Sequence, residues 1–133
     1  MKSGFLKTCL FLTFILSGGI AVAAEDVAKG AQLYRYYCMA CHQAEGEGIA
    51  NVFPALAGSE VVLGSAEDVA LVVLNGRGGM PAFKGSISDP DLATIITHVR
   101  NSWGNDGAGI SAQRVSELSA GGGEKIRQDR EQQ

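Results

Sequence analysis

Residues 34 to 43 read YRYYCMACHQ and gather cysteine and histidine side chains in a short span. Cys38 and Cys41 stand about one helical turn apart, and His42 follows directly. Thiols and an imidazole at this spacing suit a structural zinc site, a redox dithiol, a plain disulfide or the covalent capture of a cofactor. Zinc asks for four ligands, commonly as two close pairs. Outside this stretch the chain offers one more histidine, His98, and adjacent Cys41 and His42 are badly placed to share one tetrahedral ion. A thioredoxin-like dithiol belongs in a βαβ setting, and no strand pattern is visible. A disulfide between Cys38 and Cys41 would close a loop so short that it removes little chain entropy. Neither the dithiol nor the disulfide gives His42 a task.

Covalent haem does. Each of two vinyl groups takes one thiol as a thioether, and the next residue, His42, projects at the iron from one side. The iron then needs a strong-field ligand on its far side. Met1 lies in a leader, Met39 falls between the two thioethers on the wrong face, and His98 faces with Ile95 inside a helix. Met80 remains, in NGRGGMPAF. The glycines give the backbone freedom to wrap a ring edge, and Pro81 gives a rigid stop. The alternative for Met80 is a buried gap-filler.

The elements that must position these groups begin after a leader. Lys2 and Lys7 form a positive start, residues 8–16 (TCLFLTFIL) an apolar core, and SGGIAVAA a small-residue end with Val22 and Ala24 suiting a cleavage site. This is the pattern of a secretory signal peptide, 1–24, cleaved near Ala23 or Ala24; the alternative is an uncleaved anchor, for which the apolar stretch is short. Removing it takes Cys9, Lys2 and Lys7 away and leaves 9 basic against 14 acidic residues, a charge of −5. An acidic chain without basic runs gives no reason to expect nucleic acid, nor attraction to an anionic membrane surface.

The mature chain reads as all-α. Residues 26 to about 39 carry Val27, Ala31, Tyr34 and Cys38 at helix spacing. Residues 43–64, rich in Gly and Ala, read as an irregular loop. Ser65 with Asp68, and Ser88 with Asp91, mark two helix starts, and Gly76 and Gly104 mark the stops. Leu92, Ile95, Ile96, Val99 and Trp103 fall on one side of the last long helix. Past it, GNDGAGI is linker-like, residues 111–118 suit two helical turns, and the final stretch is polar enough to be mobile. The division expected is a domain over 25–104, compact from about residue 26, then a linker and mobile tail over 105–133. So small a core usually needs a staple.

The chain resembles a class I monohaem cytochrome c over about residues 28 to 104. The likeness rests on Gly30, Tyr34, Cys38, Cys41 and His42 in the pattern G-x-x-x-Y-x-x-x-C-x-x-C-H, on FPALAG, and on MPAF. It implies a small cytochrome c fold, three to four short helices and loops wrapped around one haem c bound through Cys38 and Cys41. It implies that Gly30 and Tyr34 let the first helix cross the last, against Ile95 and His98, although His98 stands where the family more often has an aromatic. It further implies that the Pro54 carbonyl accepts a hydrogen bond from His42, that Leu56 packs on the haem face, and that Tyr37, Val52, Phe53, Val69, Val73 and Phe83 join the core. Arg77 and Trp103 are candidates to approach a haem propionate; a solvated Arg and a core Trp are the alternatives. The run from Met80 to Asn105 is similar to the last haem domain of cytochrome subunits of periplasmic alcohol and sugar dehydrogenases, which carry several such domains where this chain has one motif.

The function implied is a periplasmic single-electron carrier with His42 and Met80 as axial ligands and no catalytic residues of its own. Its partners would be redox proteins: a dehydrogenase or quinol complex as donor, an oxidase or reductase as acceptor. No stable membrane insertion is expected after cleavage. The rivals are a fixed haem subunit of a larger complex, and a peroxidase or gas-binding protein with an open iron site.

Overall fold

Four serines mark where the chain turns into helix. In the computed structural model, which describes residues 21–122 and Gln132, the side chains of Ser59, Ser65, Ser88 and Ser111 each accept a bond from a backbone N–H one turn on. Such caps satisfy donors that a helix start leaves orphaned. The helices are α1 (Ala21–Tyr37), α2 (Met39–His42), α3 (Glu60–Leu63), α4 (Ala66–Asn75), α5 (Asp89–Arg100) and α6 (Ala112–Glu117). A wide turn at Leu118–Gly122 follows α6. No strand forms among the described residues; three isolated bridges tie loop backbones together. The fold is a small all-α one, as expected, with more helices than the three to four read from the sequence.

The core forms where α1, α4, α5 and α6 meet. Leu92, Ala93, Ile95, Ile96 and Val99 present one apolar face of α5, and Val69, Ala70, Leu71 and Leu74 face it from α4. α1 crosses α5 at Gly30, where a Cβ would lie 2.7 Å from the His98 Cβ and 3.1 Å from the Thr94 carbonyl oxygen. Only a residue without a side chain permits that approach. Below the crossing Tyr34 is buried against His98 and Trp103. Lys29 and Asp91 close the outer rim with an ion pair at 2.7 Å.

Several sequence expectations need correction. Residues 60–63 form α3 inside what reads as loop. Residues 105–118 are no loose linker: Asn105, Val115 and Leu118 are buried in the body of the domain. Two apolar residues in a polar stretch leave little periodic signal, so only docking shows them to be core. Val27 and Val52 point to solvent instead of the core. The leader reading of residues 1–20 lies outside the described residues, as does the tail from 123 to 131; α1 itself begins at Ala21, upstream of the expected cleavage point. No helix among the described residues is long and apolar enough to cross a membrane.

Candidate functional site

α1 ends at Tyr37, and the backbone breaks direction at Cys38 before the single turn of α2. The His42 N–H donates to the Cys38 carbonyl at 2.9 Å, which sets the two side chains at opposite ends of one turn. The Tyr34 hydroxyl donates to the Gln43 carbonyl at 2.6 Å and holds the exit of that turn. His42 is 8% exposed, and its Nδ1 lies 2.9 Å from the Pro54 carbonyl oxygen. A carbonyl only accepts, so Nδ1 carries a proton, and in the neutral ring that leaves the Nε2 lone pair for a metal. Gly48 makes this possible: its φ is +64°, and a Cβ there would come within 2.7 Å of the Pro54 carbonyl carbon.

Met80 is placed by a different device. Gly76 ends α4 with φ +73°, and a Cβ there would meet the Met80 carbonyl oxygen at 2.6 Å. Arg77 and Met80 then exchange backbone bonds at 3.2 and 3.0 Å, making a tight turn. The Phe83 and Lys84 N–H groups donate to the Val73 and Leu74 carbonyls near the end of α4, at 3.0 and 3.1 Å. The loop is thus pinned at both ends.

Both devices open on one cleft with about 890 Å³ of empty space, the solvent at its mouth included. Cys38, His42, Pro54, Leu56, Arg77 and Met80 all line it. Cys41 and Trp103 do not. Cys41 sits half-buried beside Cys38, while Trp103 packs on Tyr34 with ring centroids 4.9 Å apart and covers Gly46. Of the two readings of Trp103, its packing is that of the core tryptophan: α5 stops at Arg100, and Trp103 adopts a φ of 55° on the turn beyond. His98 also lies outside the cleft, against Tyr34.

The remaining wall is mostly aliphatic, with Phe83 and Ser59 the exceptions. Val61 and Val62 come from α3, Val69 and Val72 from α4, Ile95 and Val99 from α5. Sequence reading missed the α3 pair because one turn of helix has no periodicity to detect. It also missed buried Arg100, which fastens α3, since an arginine at a helix end reads as solvated.

The donor set decides among the four chemistries. No group of three or more His, Cys, Asp and Glu side chains converges among the described residues, so these residues do not offer the ligand set of a structural zinc site. Burial pushes the Cys38 thiol up to about 11, and nearby Cys41 adds to the shift. A thiol held protonated is a poor redox nucleophile. Cys38 and Cys41 are both free, with no disulfide between them. What the cleft does fit is a large apolar ring with a metal at its centre: hydrocarbon walls, one imidazole with a free Nε2, one thioether sulfur and a thiol at the edge.

Comparison with known proteins agrees. A family model described as "Cytochrome C oxidase, cbb3-type, subunit III" matches residues 25–99. The chain is 32% identical over 107 residues to the alcohol dehydrogenase (quinone) cytochrome c subunit of Gluconobacter oxydans, covering 70% of this chain but 22% of that protein. It is 34% identical over 109 residues to cytochrome c-552 of Thermus thermophilus, with 71% of each chain covered. A cytochrome c6 of Synechocystis is 35% identical over 100 residues, 82% of its length. This chain thus spans about a fifth of the dehydrogenase subunit and most of the two smaller cytochromes. It belongs to the cytochrome c family and carries one covalently attached haem c, the cofactor that both the CMACH motif and the apolar cleft fit.

Proposed function

We propose that the chain is an exported single-electron carrier whose haem is tethered through Cys38 and Cys41 and held axially by His42 and Met80. The observation that carries this reading is the pair of pinned donors on one cleft: His42 with its tautomer set by Pro54, and Met80 on the Arg77–Met80 turn. When bound, the haem supplies a one-electron couple between ferric and ferrous iron.

The chain's own residues prepare that exchange. The Pro54 carbonyl fixes the imidazole plane and makes Nε2 a stronger base. Two glycine-assisted turns hold both ligands in place, so little needs to move when the charge changes. The valine and isoleucine walls keep water from the ring, and Arg77 stands at the cleft with a cationic side chain suited to a carboxylate. With His42 and Met80 both holding the iron, the bound haem would have no open site for substrate. The electron arrives from a dehydrogenase or quinol complex and leaves to an oxidase or reductase, in the periplasm, with residues 1–24 as the export signal.

Met80→Ala tests the ligand set. The oxidised wild type should show the weak methionine-to-iron charge-transfer band in the far red, and the variant should lose it and gain binding of carbon monoxide when reduced. A wild type without that band contradicts methionine ligation. A second reading, a fixed subunit of a dehydrogenase, draws on the likeness to the larger alcohol dehydrogenase subunits. Size-exclusion of a native periplasmic extract, followed by Soret absorbance, separates the two: co-elution with a large complex contradicts a free shuttle.

A further inference from the structure

Arg100 is a cation held inside the protein by carbonyl groups. The residue is 4% exposed. Its Nη1 donates to the Val62 carbonyl and, at 2.9 Å, to the Gly64 carbonyl; its Nε donates to the Ala108 carbonyl. Gly107 lies flat against the guanidinium, where a Cβ would be 2.9 Å from Nη2. The ion pairs Lys29–Asp91, Arg114–Glu67 and Arg114–Glu117 do not include it; its hydrogen-bond partners named here are backbone carbonyls.

The place of the clamp gives it a task. α3 is a single turn of four residues, too short to persist alone. The Val62 and Gly64 carbonyls sit at its C-terminal end, where a helix leaves acceptors unsatisfied. α3 supplies Val61 and Val62 to the cleft, and Val99, the neighbour of Arg100, lines it as well. One guanidinium therefore fastens a wall of the cleft and sets a fixed positive charge behind it.

We infer that Arg100 is a positioning residue of the haem site: it holds α3 as the cleft wall, and its buried charge raises the midpoint potential. The inference rests on the haem reading above. Reduction adds one electron to the iron, supplied by a redox-protein donor, with no bond made or broken and no proton moved. A nearby fixed cation favours the state with one positive charge fewer, and does so more strongly where water is excluded.

The test uses wild type, Arg100→Lys, Arg100→Met and Ala108→Glu, each matured with haem. Midpoint potentials come from spectroelectrochemical titration, and amide hydrogen exchange is followed at Leu63 and Gly64, whose N–H groups close α3. Arg100→Met should lower the potential and speed that exchange about tenfold. Arg100→Lys should also speed exchange but keep the potential near wild type, because the charge stays. Ala108→Glu, at an exposed position, should lower the potential with exchange unchanged; it reads the charge with Arg100 in place, even where Arg100→Met fails to fold. Unmoved potentials in Arg100→Met and Ala108→Glu, or unchanged exchange in both Arg100 variants, overturn the inference. A wild type that holds no covalent haem overturns the functional reading instead, while exchange at Leu63 and Gly64 still reports on the clamp.

Discussion

His98 shows how a single residue ties the packing of two helices to pH. Its ring lies 5.8 Å from that of Tyr34, and its Cβ touches Gly30 across the α1–α5 crossing. Burial, with Arg35 nearby as a second cause, holds its pKa below the ordinary 6.5. Protonation is then easier in the unfolded chain than in the folded one. The unfolded state binds more protons between the two values, so stability is full above pH 6.5 and falls as the pH drops through and below it. Urea denaturation should show this decline, and His98→Phe should flatten it. An unchanged slope in the variant would assign the acid sensitivity to another group. The same residue marks the limit of sequence reading. Its position on the last helix, opposite Gly30 and Tyr34, was legible from spacing and family likeness; its titration depends on burial, which spacing does not report.

At the scale of elements, local signals and remote contacts divide the helices. α5 starts where Ser88 predicts it, with the hydroxyl accepting from the Asp91 N–H at 3.3 Å and donating to the Asp91 carboxylate at 2.8 Å. Ser88→Ala should cost about 1 kcal/mol in urea denaturation without altering the haem spectrum. α6 behaves differently. Val115 is fully buried although its helix has six residues and a mostly polar sequence. Val115→Ala should cost about 2 kcal/mol by the same measurement, a loss that a residue on a loose linker would not produce. α6 reaches the core because the turn before it is fastened: Gly107 N–H donates to the Arg100 carbonyl at 2.8 Å, and Asn105 bonds the Val99 and Leu56 carbonyls. Asn105 reaches back to Leu56 in a distant loop, and none of these bonds has a helix or strand spacing, which is why periodicity alone reads the segment as a linker.

The described residues form a layer of helices around one cleft. Most of their buried apolar side chains come from α4 and α5, with Tyr34 of α1, Val62 of α3 and Val115 of α6 added, while the cleft faces of α3 and α4 are aliphatic. Each buried aliphatic side chain contributes about 1.5 to 3 kcal/mol, and a domain of this size gains little beyond the entropy it loses. The haem completes that core. Cys38→Ala with Cys41→Ala, which prevents covalent attachment, should leave a chain with reduced helical circular dichroism and no cooperative thermal transition. A variant that still melts sharply at the wild-type temperature would show that the protein core suffices alone.

The sequence by itself determined what depends on neighbours along the chain. CMACH places two thiols and an imidazole within one turn, the serine caps start α4 and α5, and the glycines at 30 and 76 leave room for close backbone approach. Those features act over a few residues, so they are present in the string. Tertiary structure alone decided which segments share a wall. Arg100 reaches across to Val62 and Gly64, Val115 and Leu118 enter the core, Trp103 covers Gly46 instead of the cleft, and Val52 faces water. Burial is a property of what packs over a residue, and that cover comes from parts of the chain whose distance along the sequence carries no periodic trace.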